Sequence, residues 1–250
     1  MDNINKEKVG IIGFGRFGQL LAQLLEPQFD LTIFDPNYAV SKVFPYINTD
    51  FDRIYDAKTI FIAVPIRQFS KIIQDIAQKT KPGTTVIDVC SVKMHPVKIM
   101  LQFLSPEVNI IASHPLFGPD SINMFSARKI MMHPVRDLSN TYEFWKAFFL
   151  SLNFQILEMT PEQHDESAAK SQNISHFLGR VLDDAGFKTT GMDTSGFENL
   201  LKLKEQTCND SWELFFDLQK YNPYSQQYIQ QFIHSVNNIE EKIKEHSNSH

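Results

Sequence analysis

Cysteine is scarce in this chain of 250 residues. The two present, Cys90 and Cys208, are too few and too far apart for a disulfide scaffold, and their spacing fits no metal-site pattern. The expectation is reduced thiols and no bound metal. No apolar run approaches the ~18 residues that a bilayer span requires, and residues 1–8 are polar and mixed in charge. That points to a cytoplasmic chain without a membrane partner. A basic block is also missing: 24 Lys and Arg are interspersed among 29 Asp and Glu, for a formal net charge of -5, which leaves no run able to neutralise phosphates. Nucleic acid is therefore not an expected partner. Internal repeats and low-complexity linkers are lacking too, and with 42% apolar and 21% charged residues the composition is that of an ordinary globular protein.

What is present divides the chain in two, as its length already suggests. Short Val- and Ile-rich runs at 9–13, 31–35, 59–64, 85–89, 109–112, 129–133 and 155–159 alternate with stretches of helical period at 17–25, 68–78, 96–103 and 141–152. Such alternation is the pattern of βαβ units on a parallel sheet, so residues 1–160 are expected to form a doubly wound α/β domain of the Rossmann type. Within it, Phe144, Trp145, Phe148 and Phe149 form an aromatic stripe of the kind that lines a core. After Thr160-Pro161 no strand-like run follows. Helices are expected at 162–185, 196–205, 211–220 and 224–244, separated by glycines, Cys208-Asn209-Asp210 and Asn222-Pro223, with a fraying tail from Lys244. Residues 161–250 thus read as a smaller all-helical domain with too little core of its own, for which a homodimer is expected, with Trp212, Phe215 and Phe216 as interface candidates.

The first chemical motif is Gly13-Phe14-Gly15-Arg16-Phe17-Gly18. A GxGxxG string carries little weight alone, but this one follows a strand and opens a helix, the context of a dinucleotide-binding turn. Gly13 permits the tight turn, Gly15 lets backbone approach a pyrophosphate, Gly18 lets helix and sheet pack closely, and the helix N-terminus faces the phosphates. Asp35 follows about 20 residues later, at the end of the second strand, where a carboxylate accepts from the ribose hydroxyls of adenosine. Its charge would repel a 2′-phosphate, and no Lys or Arg lies between it and Lys42, so NAD is expected in preference to NADP. Ala63-Val64-Pro65 ends a further strand at the same sheet edge and is expected to line the nicotinamide side.

Two later strings, Asp88-Val89-Cys90-Ser91-Val92-Lys93 and Ser113-His114-Pro115-Leu116-Phe117-Gly118-Pro119-Asp120, together with Ala63-Val64-Pro65-Ile66, closely resemble the prephenate and arogenate dehydrogenases of tyrosine biosynthesis. The resemblance extends through Glu162-Gln163-His164-Asp165 and the run from Ser171 to Leu182. From Asn209-Asp210-Ser211 to Tyr221-Asn222 it is nearest to the shorter plant-type arogenate enzymes. It implies oxidative decarboxylation of a cyclohexadienol, with His114 as the base for the 4-hydroxyl proton and Ser91 as a hydrogen-bonding partner of the same hydroxyl. It also implies substrate contacts from Asp120, Gln172, Ser175, His176 and Arg180. The last four share one face at helical spacing, and Arg180 is suited to a carboxylate. The chain departs from the longer microbial enzymes at Gly179, where some carry a histidine, and at Asp120, where glutamate is common. Whether the side chain is pyruvyl (prephenate) or alanyl (arogenate) stays open.

Each of these residues also has a plainer reading. His114-Pro115 can terminate a strand, Ser91 can cap a helix, Arg180 can pair with Asp183 or Asp184, and His164-Asp165 can cap and complement a helix dipole. Two other functions stay in view. One is a dehydrogenase of the 6-phosphogluconate or 3-hydroxyacid type, which would need a lysine near Asn173 that the sequence does not supply. The other is a non-catalytic NAD-binding protein, against which the joint presence of Ser91 and His114 argues.

Overall fold

In a computed structural model, residues 6–36, 47–48, 51–118 and 128–248 are described. The chain divides into two compact units, Met1–Glu162 and Gln163–His250.

The first unit is built on eight strands in the order β3-β2-β1-β4-β5-β6-β7-β8. They are β1 (Lys8–Ile12), β2 (Asp30–Phe34), β3 (Ile47–Asn48), β4 (Thr59–Ile62), β5 (Thr85–Asp88), β6 (Asn109–Pro115), β7 (Arg128–Arg136) and β8 (Phe154–Glu158). Helices α1 (Arg16–Leu25), α2 (Ile66–Ala77), α3 (Met94–Phe103) and α4 (Thr141–Ser151) join them, with a 3-10 helix at Phe51–Asp56. The run from β3 to β6 is parallel and has the strand order of a Rossmann fold. Central strands β4 and β5 are buried along their whole length, hence their continuous apolar character.

Three features differ from expectation. β7 runs antiparallel to β6, so the sheet is mixed; a strand's apolar pattern carries no direction. The two-residue β3 and the 3-10 helix lie in a stretch without periodic apolar signal, and neither was anticipated. β6 extends to Pro115, which places His114 inside the strand, opposite Met131 of β7.

The core of this unit gathers Val9, Ile11, Ile33, Phe61, Ile87 and Ile111 from the sheet around the α4 aromatics. Trp145 is 1% exposed, stacks on Phe29 at 5.2 Å and meets Phe61 edge-on at 4.9 Å, while its indole N–H donates to Thr59 Oγ1 at 3.3 Å. Phe148 and Phe149 are buried with it, whereas Phe144 is largely exposed.

The helices of the C-terminal half are α5 (Pro161–Lys170), α6 (Gln172–Asp184), α7 (Ser195–Cys208), α8 (Trp212–Tyr221) and α9 (Ser225–Asn248). The single helix expected over 162–185 is interrupted at Ser171, which has φ -120° and ψ -79° and whose hydroxyl donates back to the Ser167 carbonyl at 2.8 Å. Serine competes for helix carbonyls in this way. Cys208 belongs to the last turn of α7, not to a break. The expected tail from Lys244 remains helical to Asn248, and residues 249–250 lie outside the described residues. α6 packs closely on α7 because residue 179 is glycine: a Cβ there would stand 1.9 Å from Thr207 Oγ1.

Candidate active site

The parallel registers Ile12↔Phe34, Ile12↔Ile62, Ile62↔Asp88 and Asp88↔Ala112 bring the C-terminal ends of β2, β1, β4, β5 and β6 into one row. Ligands of open α/β sheets bind along such an edge. It carries the glycine turn, Asp35, Ala63-Val64-Pro65, Ser91 and His114.

Gly13 has φ +101°, and a Cβ there would lie 2.4 Å from the Ala63 carbonyl oxygen. At Gly18 a Cβ would lie 2.2 Å from the Gly13 carbonyl oxygen. These two glycines are required by packing. Gly15 differs, because a Cβ there meets nothing within 4 Å, so its bare backbone borders open space. It is also the N-cap of α1 with no side-chain cap, which leaves the first-turn N–H groups for an anion. The turn therefore fits a pyrophosphate. Phe14 is fully buried, and Arg16 is exposed beside the cradle. Phe17 packs against Phe117 with ring centroids 6.4 Å apart. Asp35 does more than expected, because its Oδ2 accepts the Phe14 N–H at 2.7 Å and so ties the turn to the end of β2. Ala63 and Val64 are half-buried, and Pro65 is the exposed N-cap of α2.

Ser91 is half-buried between β5 and α3. The N-cap of α3 is Lys93, with no side-chain capping bond, so Ser91 does not cap that helix. His114 is 4% exposed. Between Ser91 and His114 lies a buried assembly that the sequence reading did not single out. The Lys93 ammonium donates to Asp88 Oδ1 and to the Ser113 carbonyl, the latter at 2.5 Å. Asp88 Oδ1 also accepts the Cys90 N–H at 3.1 Å, and the Ser113 hydroxyl donates to the Asp88 carbonyl at 2.7 Å. Burial pushes the Asp88 carboxyl up to about 6, against the opposing pull of Lys93. One signal was available in sequence: opposite charges five residues apart across a strand-to-helix junction otherwise rich in apolar residues.

In the helical unit α6 carries Gln172, Ser175, His176 and Arg180. His176 and Arg180 are buried; Gln172 and Ser175 are half-buried. Arg180 does not pair with Asp183 or Asp184. Its guanidinium stacks on Trp212 at 4.3 Å and donates to the Asp210 carbonyl at 2.5 Å, while Nε has no hydrogen-bond partner. His176 Nε2 lies 3.9 Å from Asp210 Oδ2, and its Nδ1 is unpartnered. Burial holds the His176 imidazole below its usual pKa, with Asp210 opposing and Arg180 assisting. The buried Gln172 Oε1 is also without a partner. His164 and Asp165 form a buried pair, Nδ1 to Oδ1 at 2.8 Å. Asp120 lies outside the described residues. Among the described residues no group of three potential metal ligands occurs, and no helix is long and apolar enough to cross a membrane.

A Rossmann-type sheet with an open glycine cradle, a histidine and a serine at its strand ends, and a second, helical unit define a dinucleotide-binding class of fold. Comparisons narrow the class. The profile for the nucleotide-binding domain of prephenate dehydrogenase matches residues 39–138, and that for the TYRAAT1-like C-terminal domain matches residues 181–250. Arogenate dehydrogenase 1, chloroplastic, of Arabidopsis thaliana is 30% identical over 248 residues, covering 90% of this chain and 37% of the relative. Arogenate dehydrogenase 2, chloroplastic, of the same plant is 28% identical over 94% of this chain and 70% of its own length. Among solved structures, the prephenate dehydrogenase of A. aeolicus, in complex with hydroxyphenyl propionate and NAD+, superposes with TM-score 0.78 at 19% identity. The match covers 99% of this chain and 94% of that one. Over most of its length the chain is similar to members of the prephenate/arogenate dehydrogenase family. It spans little more than a third of the length of the first of these relatives.

Proposed function

We propose that the chain catalyses NAD-dependent oxidative decarboxylation of prephenate or arogenate, giving 4-hydroxyphenylpyruvate or tyrosine. The observation that carries this reading is the row of strand ends that sets Gly15, Ser91 and His114 along one sheet edge. When bound, NAD accepts the hydride from ring C4. His114 takes the proton of the 4-hydroxyl as the carbonyl forms, and Ser91 hydrogen-bonds that oxygen and aligns it. The C1–carboxylate bond then breaks, CO2 leaves, and its electron pair restores the aromatic ring, whose phenolate recovers a proton. Loss of CO2 makes the step irreversible. In this reading residues 1–160 bind NAD, and residues 161–250 recognise substrate and pair two copies of the chain. Arg180 is the candidate for a substrate carboxylate, with Gln172, Ser175 and His176 beside it on α6 and Asp120 as a further contact. Purified protein, supplied with either substrate and either NAD or NADP, tests the reading through near-ultraviolet absorbance of reduced nicotinamide. Turnover of neither substrate would overturn it.

The preference for NAD over NADP rests on Asp35. Because Asp35 also holds the Phe14 N–H, Asp35→Asn is the informative change, keeping an acceptor while removing the charge. It should narrow the gap between NAD and NADP affinities by about tenfold, a loss of ~1.4 kcal/mol of discrimination. Titration of both dinucleotides checks this, and a wild-type preference for NADP would refute the assignment.

A further inference from the structure

The roles given to Ser91 and His114 leave two fully buried charges unused. Lys93 and Asp88 are each 0% exposed and touch one another. Desolvating two charges commonly costs more than their attraction returns, so such a pair, standing where apolar side chains would pack, calls for a task. Its location suggests one. The parallel ladder between β5 and β6 ends at Asp88↔Ala112. Beyond it, Ser113 and His114 are held by β7, through Ser113↔Met132 and His114↔Met131. The Lys93 ammonium and the Ser113 hydroxyl take over where that ladder stops. The ammonium fixes the carbonyl of the peptide that enters His114, the hydroxyl returns to the Asp88 carbonyl, and Asp88 anchors the Cys90 N–H at the turn leading into Ser91.

We propose that Lys93 and Asp88 are positioning residues that lock the Ser91 turn and the His114 peptide in one register across the open gap between β5 and β6. The proposal rests on the reading of His114 as the base and Ser91 as its partner on the substrate hydroxyl. A misplacement of about 1 Å in a reacting group can cost ~10²-fold in rate. The clamp acts on turnover, since neither residue is assigned to substrate or dinucleotide.

The test compares Lys93→Met, Lys93→Met/Asp88→Asn and Ser113→Ala with Lys146→Met, which removes a half-buried lysine paired to the exposed Glu158. The single Lys93→Met change strands a buried carboxylate and should lower Tm. In the double variant no buried charge remains, so Tm and NAD affinity should return to near wild type. Its kcat should stay down by about 10- to 100-fold with KM changed less than about threefold, and hydrogen exchange in the peptide containing residues 113–115 should accelerate. Ser113→Ala, which keeps the ion pair, should show the same split in smaller measure and guards against a double variant that fails to fold. Lys146→Met should change none of these. Recovery of full kcat together with Tm in the double variant, or wild-type kcat and exchange in Ser113→Ala, would overturn the proposal. Hydrogen exchange reads the clamp even if the wild type turned over neither substrate, so failure of the functional reading is distinguishable from failure of this one.

Discussion

The two units distribute apolar and polar side chains in opposite ways. In the sheet unit strands and helices bury a continuous set of Val, Ile, Leu and aromatic residues, and its buried charges are paired across strand ends. In the helical unit the buried apolar set is short: Ala168, Ala169, Leu182, Phe215, Leu218 and Ile229. Polar groups fill much of its interior, among them Asn173, His176 and Arg180, each with an atom lacking a hydrogen-bond partner. Its exterior instead carries large apolar residues, including Trp212, Phe216, Val236, Ile239 and Ile243. A unit with a polar inside and an apolar outside is built to bind. Under the proposed function the sheet unit would supply stability and chemistry, and the helical unit recognition.

The sharpest way to break this contrast is to open the sheet-unit core. Trp145→Ala removes the side chain that stacks on Phe29 and meets Phe61 edge-on, and should destabilise the protein by about 3–5 kcal/mol, measured by chemical denaturation. A loss under ~1 kcal/mol would mean that the aromatic cluster is not the structural centre of the unit.

A smaller effect is expected at Gly179. A Cβ at that position collides with Thr207 Oγ1, so Gly179→Ala should cost about 1–3 kcal/mol by overpacking, and Thr207→Ala in the same chain should recover most of it. If Gly179→Ala is neutral, the close approach of α6 and α7 does not require glycine at position 179.

The smallest change in stability belongs to α9, where Ile229, Val236, Ile239 and Ile243 recur at spacings that bring them to one stripe, exposed from Val236 onward. Replacing Val236, Ile239 and Ile243 by Gln should leave sheet-unit stability within about 0.5 kcal/mol while converting a dimer to a monomer by light scattering. A wild-type monomer at micromolar concentration would remove dimerisation from the account.

These contrasts explain what could be read in advance. Strands β1, β4 and β5 were legible because a buried parallel strand is an unbroken apolar run, and the glycine turn because Gly13 and Gly18 each answer a steric demand while Gly15 leaves bare backbone beside open space. The direction of β7 was not legible, since pairing sense is decided by contacts distant in sequence. The interruption at Ser171 was hidden within a continuous helical period. Ser91 and His114 were singled out by motif, but the buried Lys93–Asp88 pair was not. A lysine and an aspartate near a loop ordinarily face water, and only the approach of β5 to β6 buries them. Helical spacing placed Arg180 on one face of α6 with Gln172, Ser175 and His176, but its stacking on Trp212 depends on how α8 returns along α6.

The division of labour itself is tested most directly by measuring kcat and KM for His114→Asn and Arg180→Met side by side, in the presence of saturating NAD. For His114→Asn the expected result is a kcat lower by about 10² to 10⁴ with KM little changed. For Arg180→Met it is a KM raised by about 10- to 100-fold, the worth of one charged hydrogen bond, with kcat much less affected. A His114→Asn enzyme that keeps more than about a tenth of wild-type kcat with chemistry rate-limiting, or an Arg180→Met enzyme that loses kcat at unchanged KM, would contradict the account.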